Sequence, residues 1–277
     1  MRLHPRVNRL RHLLRYAGTL YAKDLAMERG QLAALSGLVI LWHLFLVSGL
    51  GREWGISGPE EMLGVGVIVP MLLLPFWTVF SAYNGLRTEW AGRHSQLLLS
   101  LPVPRCTLLV AKLAVVMTGV TLLSAVTVLG AALIFRPNPH TVVGLVGQEK
   151  LVPLGALLAQ GLKIYLLFWL GLLAGAAATQ FAYLVGRLLP RRAWLLNAVA
   201  FAGGLWLMLR FGALVGLFSA HSQAPWPKMT ILWWHLASDA LQVLHLGINL
   251  APIVAALMVA LGLFLIGCWL LDRLVDA

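Results

Sequence analysis

The chain has 277 residues, of which 60% are hydrophobic and only 11% charged, with a formal net charge of +11. Soluble globular domains carry about a quarter charged residues, so this composition excludes that class. The apolar residues arrive in blocks longer than about 18, the length that reads as a transmembrane helix and not a core helix.

Residues 8–29 predict an amphipathic helix. At the helical period Leu10, Leu13, Leu14, Ala17, Leu20, Tyr21 and Leu25 fall within an arc of about 140°, while Arg9, Arg11, His12, Arg15 and Lys23 cover the other side. Such a helix is expected to lie in the headgroup plane with its basic face on anionic lipid. Asp24 and Glu28, at i,i+4, break the apolar face. They read as groups reaching the interface where the helix bends into the first span, or as contacts for a cytoplasmic partner. The long basic segment before the first apolar run, with no short apolar core ending in a small-residue cleavage site, predicts no secretory signal.

Six spans are predicted, at about 31–50, 62–86, 107–135, 159–186, 194–218 and 250–271. The second holds Pro70 and Pro75, each of which removes a backbone donor and invites a kink. It ends in Thr78, Ser81, Tyr83 and Asn84, and Tyr83 and Asn84 are candidates for lining a pathway. Between the second and third spans runs Gln96-Leu97-Leu98-Leu99-Ser100-Leu101-Pro102-Val103-Pro104-Arg105, a short amphipathic piece closed by two prolines. Lys112 follows at the mouth of the third span. The fourth span carries Gly171 and Gly175 and the fifth Gly212 and Gly216, small-xxx-small pairs that predict close helix contact. Lys163 and Arg210 sit in the outer halves of the same two spans. A cation in hydrocarbon costs roughly 2.5–3.5 kcal/mol on insertion scales, so each either snorkels outward or lines a pathway for an anionic or amphiphilic substrate. The connecting segments 140–158 and 219–249 are too apolar for plain loops. The second, rich in tryptophan, is expected to form one or two helices at the outer interface.

The distribution of charge sets the expected orientation. Fifteen Lys and Arg residues, including Arg15, Arg87, Arg93, Arg105, Lys112, Arg187, Arg191 and Arg273, fall at one end of the spans. Only Arg52, Arg136, Lys150 and Lys228 fall in the alternate connections. Positive charge stays inside, so both termini are expected in the cytoplasm of a cell with this chain in its inner (plasma) membrane. The basicity then reflects topology and membrane lipids, and nucleic acid is not an expected partner. Cys106 and Cys268 fall at the cytoplasmic end and are expected to be reduced fillers.

Chemistry-bearing motifs are sparse. None of the five lysines follows a glycine, so no glycine-rich phosphate cradle exists on this chain. The ten acidic residues all read as lying at ends, loops or tails, which argues against ion-coupled transport. His43, with His235 and His245 beside Trp233 and Trp234, leaves an alternative: a membrane haem-binding or cytochrome-assembly protein using imidazole ligands.

An interfacial basic helix before six spans, with the cytoplasmic pattern Gly92, Leu97, Leu98, Leu101, Pro102, Val103, Arg105 and Lys112, resembles the permease subunit of an ABC-2 type transporter. The family pattern is a glycine, a leucine pair, Leu-Pro-Val/Ile-Ser/Thr-Arg and then lysine. Here Pro104 replaces the Ser/Thr, and Ser95 and Gln96 stand where an acidic residue is usual. The resemblance implies an all-α membrane protein, a type V exporter-like bundle. Residues 1–30 would be a tail and connecting helix, and 31–277 a six-span domain with a coupling helix near 93–106 and external gate helices near 219–249. It implies an ATP-driven exporter permease rather than an enzyme. A second permease copy, in a homo- or heterodimer, and a separate ABC ATPase would be its partners. No cofactor is expected on this chain; ATP and Mg would belong to the ATPase. Leu97, Leu98, Leu101, Pro102, Val103 and Arg105 would make the ATPase contact.

Overall fold

A computed structural model describes residues 5–48, 59–91, 106–134, 154–222, 227–237 and 240–276. The elements are α1 (Pro5–Val47), α2 (Pro59–Ala91), α3 (Cys106–Ile134), α4 (Leu154–Arg187), α5 (Ala193–His221), β1 (Lys228–Ala237), β2 (Ala240–Asn249) and α6 (Ala251–Asp276). A short 3-10 turn, Pro190–Arg192, joins α4 to α5. Among the described residues, six helices are long and apolar enough to cross a membrane. The chain is a multi-pass membrane protein.

α3 is the central element. Half of its span is buried inside the bundle, against 17% for α5 at the periphery. α1 and α2 pack on α3, α2 also meets α4, and α4, α5 and α6 form a second mutually packed group. Close approach is made by glycine where the sequence supplies it. A Cβ at Gly119 of α3 would collide with the Trp77 ring of α2 and stand 3.0 Å from Leu32 of α1. At Gly212 and Gly216 a Cβ would sit 3.0 Å from atoms of Pro252, so this pair brings α5 onto the start of α6, the close contact expected of it. Gly171 and Gly175 have open space where a Cβ would go.

Three sequence expectations are corrected. The amphipathic helix and the first span form one helix of 43 residues, continuous from Pro5 to Val47. Residues 228–249 are an antiparallel hairpin, registered from Lys228↔Asn249 to Ala237↔Ala240, in place of external helices, so the fold is not wholly α. Its physical basis is the β-branched and aromatic run Thr230-Ile231-Leu232-Trp233-Trp234, whose preference is for a pleated surface. Cys106 and Cys268 are bonded to each other. The first residue of α3 and the end of α6 meet beside Leu86, Leu109, Leu184 and Leu271 with Cα atoms 5.0 Å apart, inside disulfide range.

Candidate functional site

α1, α2 and α3 enclose a network of charge near the end of the bundle that carries Arg15, Trp90 and Cys106. Lys112, one and a half turns into α3, is 3% exposed. Its Nζ donates to Asp24 Oδ2 of α1 at 3.1 Å and to Glu89 Oε1 of α2 at 3.4 Å. Lys23 Nζ donates to the same Glu89 oxygen at 3.1 Å, and Asp24 and Glu89 side chains are each 6% exposed. One helical turn beyond Asp24, Glu28 Oε1 accepts the Ser81 hydroxyl of α2 at 2.7 Å. Tyr21 and Thr118 hydroxyls pair at 3.0 Å on the same α1–α3 seam. Asp24 and Glu28 interrupt one apolar face of α1, and folding sets that break against Lys112 of α3 and Ser81 of α2.

Asp24, Glu28 and Glu89 lie toward the basic ends of the long apolar helices Arg15–Val47 and Gly64–Trp90, where packing buries Asp24 and Glu89 inside the bundle. The helices extend further toward the basic end than the apolar runs alone indicate. Asp24 and Glu28 thus find partners within the chain, on α3 and α2. Among the described residues, Asp24 Oδ1 and Glu28 Oε2 have no hydrogen-bond partner. A cavity of about 100 Å³ lies here, lined by Asp24, Glu28, Ser81, Asn84 and Lys112 among others.

The four candidate pathway residues do not share one lining. Asn84 faces the charge network. Tyr83, one residue earlier, turns to the other side of α2, where its ring meets Tyr183 edge-on at 5.2 Å and its hydroxyl accepts from Asn197 at 3.5 Å. Arg187 lies over Tyr183 and Trp90 and donates to the Tyr183 hydroxyl at 2.7 Å. At the far end of the bundle, Lys163 Nζ donates to the Thr230 carbonyl at 3.0 Å and so ties α4 to the hairpin. Arg210 is exposed on α5, stacked over Trp206 at 5.6 Å.

Leu97, Leu98, Leu101, Pro102, Val103 and Arg105 lie outside the described residues, between the ends of α2 and α3. Of the histidine set, His43 is buried, with Nδ1 donating to the Val39 carbonyl at 2.7 Å. His235 and His245 lie on the two strands of the hairpin. His245 pairs with Leu232, three residues from His235, so the two positions fall on opposite faces of the ribbon. Among the described residues no three His, Cys, Asp or Glu side chains are disposed to hold a metal ion.

The chain matches no protein-family model, no curated protein and no solved structure. Its site is therefore argued from its own geometry.

Proposed function

We propose that this chain is the permease subunit of an ATP-driven ABC exporter. It moves a lipid-like, peptide or drug-like amphiphile, as a homo- or heterodimer powered by a separate ATPase that holds ATP and Mg. The observation that carries the reading is Lys112. It closes the pattern that begins at Gly92, and it is bound to Asp24 of α1 and Glu89 of α2. A load applied to residues 92–105 enters the bundle through the end of α2 and the start of α3. Lys112 links both to α1, so three helices move as one body.

In this reading ATP-driven closure of the motors presses on Leu97, Leu98 and Leu101, with Pro102 and Val103 shaping the end of the coupling helix and Arg105 contacting its charged rim. The concentration of Lys and Arg at that end supports a cytoplasmic location for the segment and both termini, in the plasma membrane.

The test is co-purification. Truncating a buried interface leucine costs on the order of 2–4 kcal/mol of binding. Leu98→Ala with Leu101→Ala is therefore expected to release the ATPase, or to uncouple its hydrolysis from transport, while the spans insert and the chain stays folded. Retention of both binding and transport-coupled hydrolysis would overturn the reading.

A further inference from the structure

Two cavities adjoin on the face between α1 and α2. α1 lies along α3 and barely touches α2, which leaves a groove with α3 as its floor. The larger cavity measures about 760 Å³ and is lined by apolar side chains including Leu35, Leu38, Pro70, Phe76, Trp77 and Leu123. It opens at the bundle surface, where Phe76 is 76% exposed. The smaller is the polar cavity of the charge network, and Gln31 lines both. One end of the composite space is apolar and the other ionic.

The ionic end has an excess of negative charge. Its lining holds two carboxylates, Asp24 and Glu28, and one ammonium, Lys112, which is already engaged between Asp24 and Glu89. Asp24 Oδ1 and Glu28 Oε2 lack partners among the described residues. A buried acceptor left unpaired is costly, so the lining calls for a positive group.

We propose that the two cavities form one binding site for a cationic amphiphile. Its ammonium-type head lies against Glu28 and Asp24, and its apolar tail runs along Leu38, Phe76 and Trp77. This deepens the exporter reading, on which it rests, by naming a substrate class. The groove volume lies in the range that suits drug-sized molecules, about 300–1,000 Å³. Aromatic faces at Phe76, Trp77 and Phe80 add attraction for a cation entering past them. An anionic head would meet two carboxylates, and a neutral one would leave their negative charge unbalanced. Lys163 and Arg210, which from sequence favour an anionic substrate, lie at the opposite end of the spans.

The test uses the purified chain in nanodiscs of zwitterionic lipid, with radiolabelled dodecylammonium, whose head carries N–H donors, as probe and empty nanodiscs subtracted. Saturable binding is expected, displaced by the unlabelled cation but not by equal concentrations of dodecyl sulfate or dodecanol. Glu28→Gln keeps an oxygen for the Ser81 hydroxyl and removes the charge. It is expected to weaken binding by about ten-fold, which corresponds to roughly 1.4 kcal/mol. Ala34→Trp, at an exposed position lining the groove, should fill it and abolish saturable binding without changing thermal unfolding. Unchanged affinity in Glu28→Gln, equal displacement by the sulfate or the alcohol, or no saturable binding would each overturn the proposal. The assay needs no ATPase. Failure here with an ATPase still co-purifying with the unaltered chain would remove the substrate class alone, whereas saturable binding with no ATPase co-purifying with the unaltered chain would remove the exporter reading and leave the site.

Discussion

A lysine ammonium buried among packed helices needs its surroundings to replace water. At Lys112 the replacement is two carboxylates from two other helices, within 3.1 and 3.4 Å. Net attraction in such a pair is modest, because taking both partners out of water is expensive. Breaking it is another matter: removal of one partner costs about 3–5 kcal/mol, since the remaining charge is buried alone. Lys112→Met is therefore expected to lower the unfolding temperature of the detergent-solubilised chain sharply. Combining it with Asp24→Asn and Glu89→Gln should recover much of the loss. A single variant as stable as the parent would mean that these groups are hydrated in the membrane. Glycines give a second residue-scale contrast. Gly119→Ala pushes a methyl into Trp77 and Leu32 and should cost about 1–3 kcal/mol, as overpacking does. Gly171→Ala meets nothing within 4 Å and should be neutral or stabilising in the same melt.

At the scale of elements, the six spans were legible because an apolar block of membrane length admits few other structures. Helix ends were less so. The first span was read from residue 31, yet α1 runs unbroken from Pro5, because nothing in Arg29-Gly30-Gln31 stops a helix whose neighbour α3 supports it. The hairpin was missed for a different reason. Tryptophan marks a membrane interface in either conformation, and that signal hid the β preference of the run around it. Of the site, the sequence exposed one half: Asp24 and Glu28 stood out as an i,i+4 break in an apolar face. Lys112, the partner of Asp24, lies 88 positions from it, and no periodicity links the two. The same limit applied to the cysteines, which are separated by 162 positions. Proximity of the α3 and α6 ends predicts a measurable difference. Under denaturing conditions without reductant, a polyethylene-glycol maleimide should tag neither Cys106 nor Cys268, and after reduction it should tag both. Two tags on protein kept from reductant throughout would show that the ends of α3 and α6 are not joined.

For the whole molecule, the helices alternate in direction and sort the connections onto two ends. The starts of α1, α3 and α5 and the ends of α2, α4 and α6 share one end, with Arg15, Arg87, Arg187, Arg191, Arg192 and Arg273. The hairpin, the end of α1 and the start of α2 share the other. This arrangement agrees with the division of basic residues in the sequence, fifteen at one end against four. Translocating a loop rich in Lys and Arg is disfavoured, so the basic end should remain cytoplasmic. Labelling of intact cells with an impermeant thiol reagent tests this directly, and the bonded native cysteines contribute no background. Ser57→Cys, between α1 and α2, and Ser222→Cys, at the end of α5, should react from outside. His94→Cys, in the segment proposed to meet the ATPase, should react only after the membrane is permeabilised. The opposite pattern, with position 94 labelled in intact cells and 57 protected, would place the charge network near the outer face. An ATP-driven motor could not then reach it, and the exporter mechanism would fail with the topology.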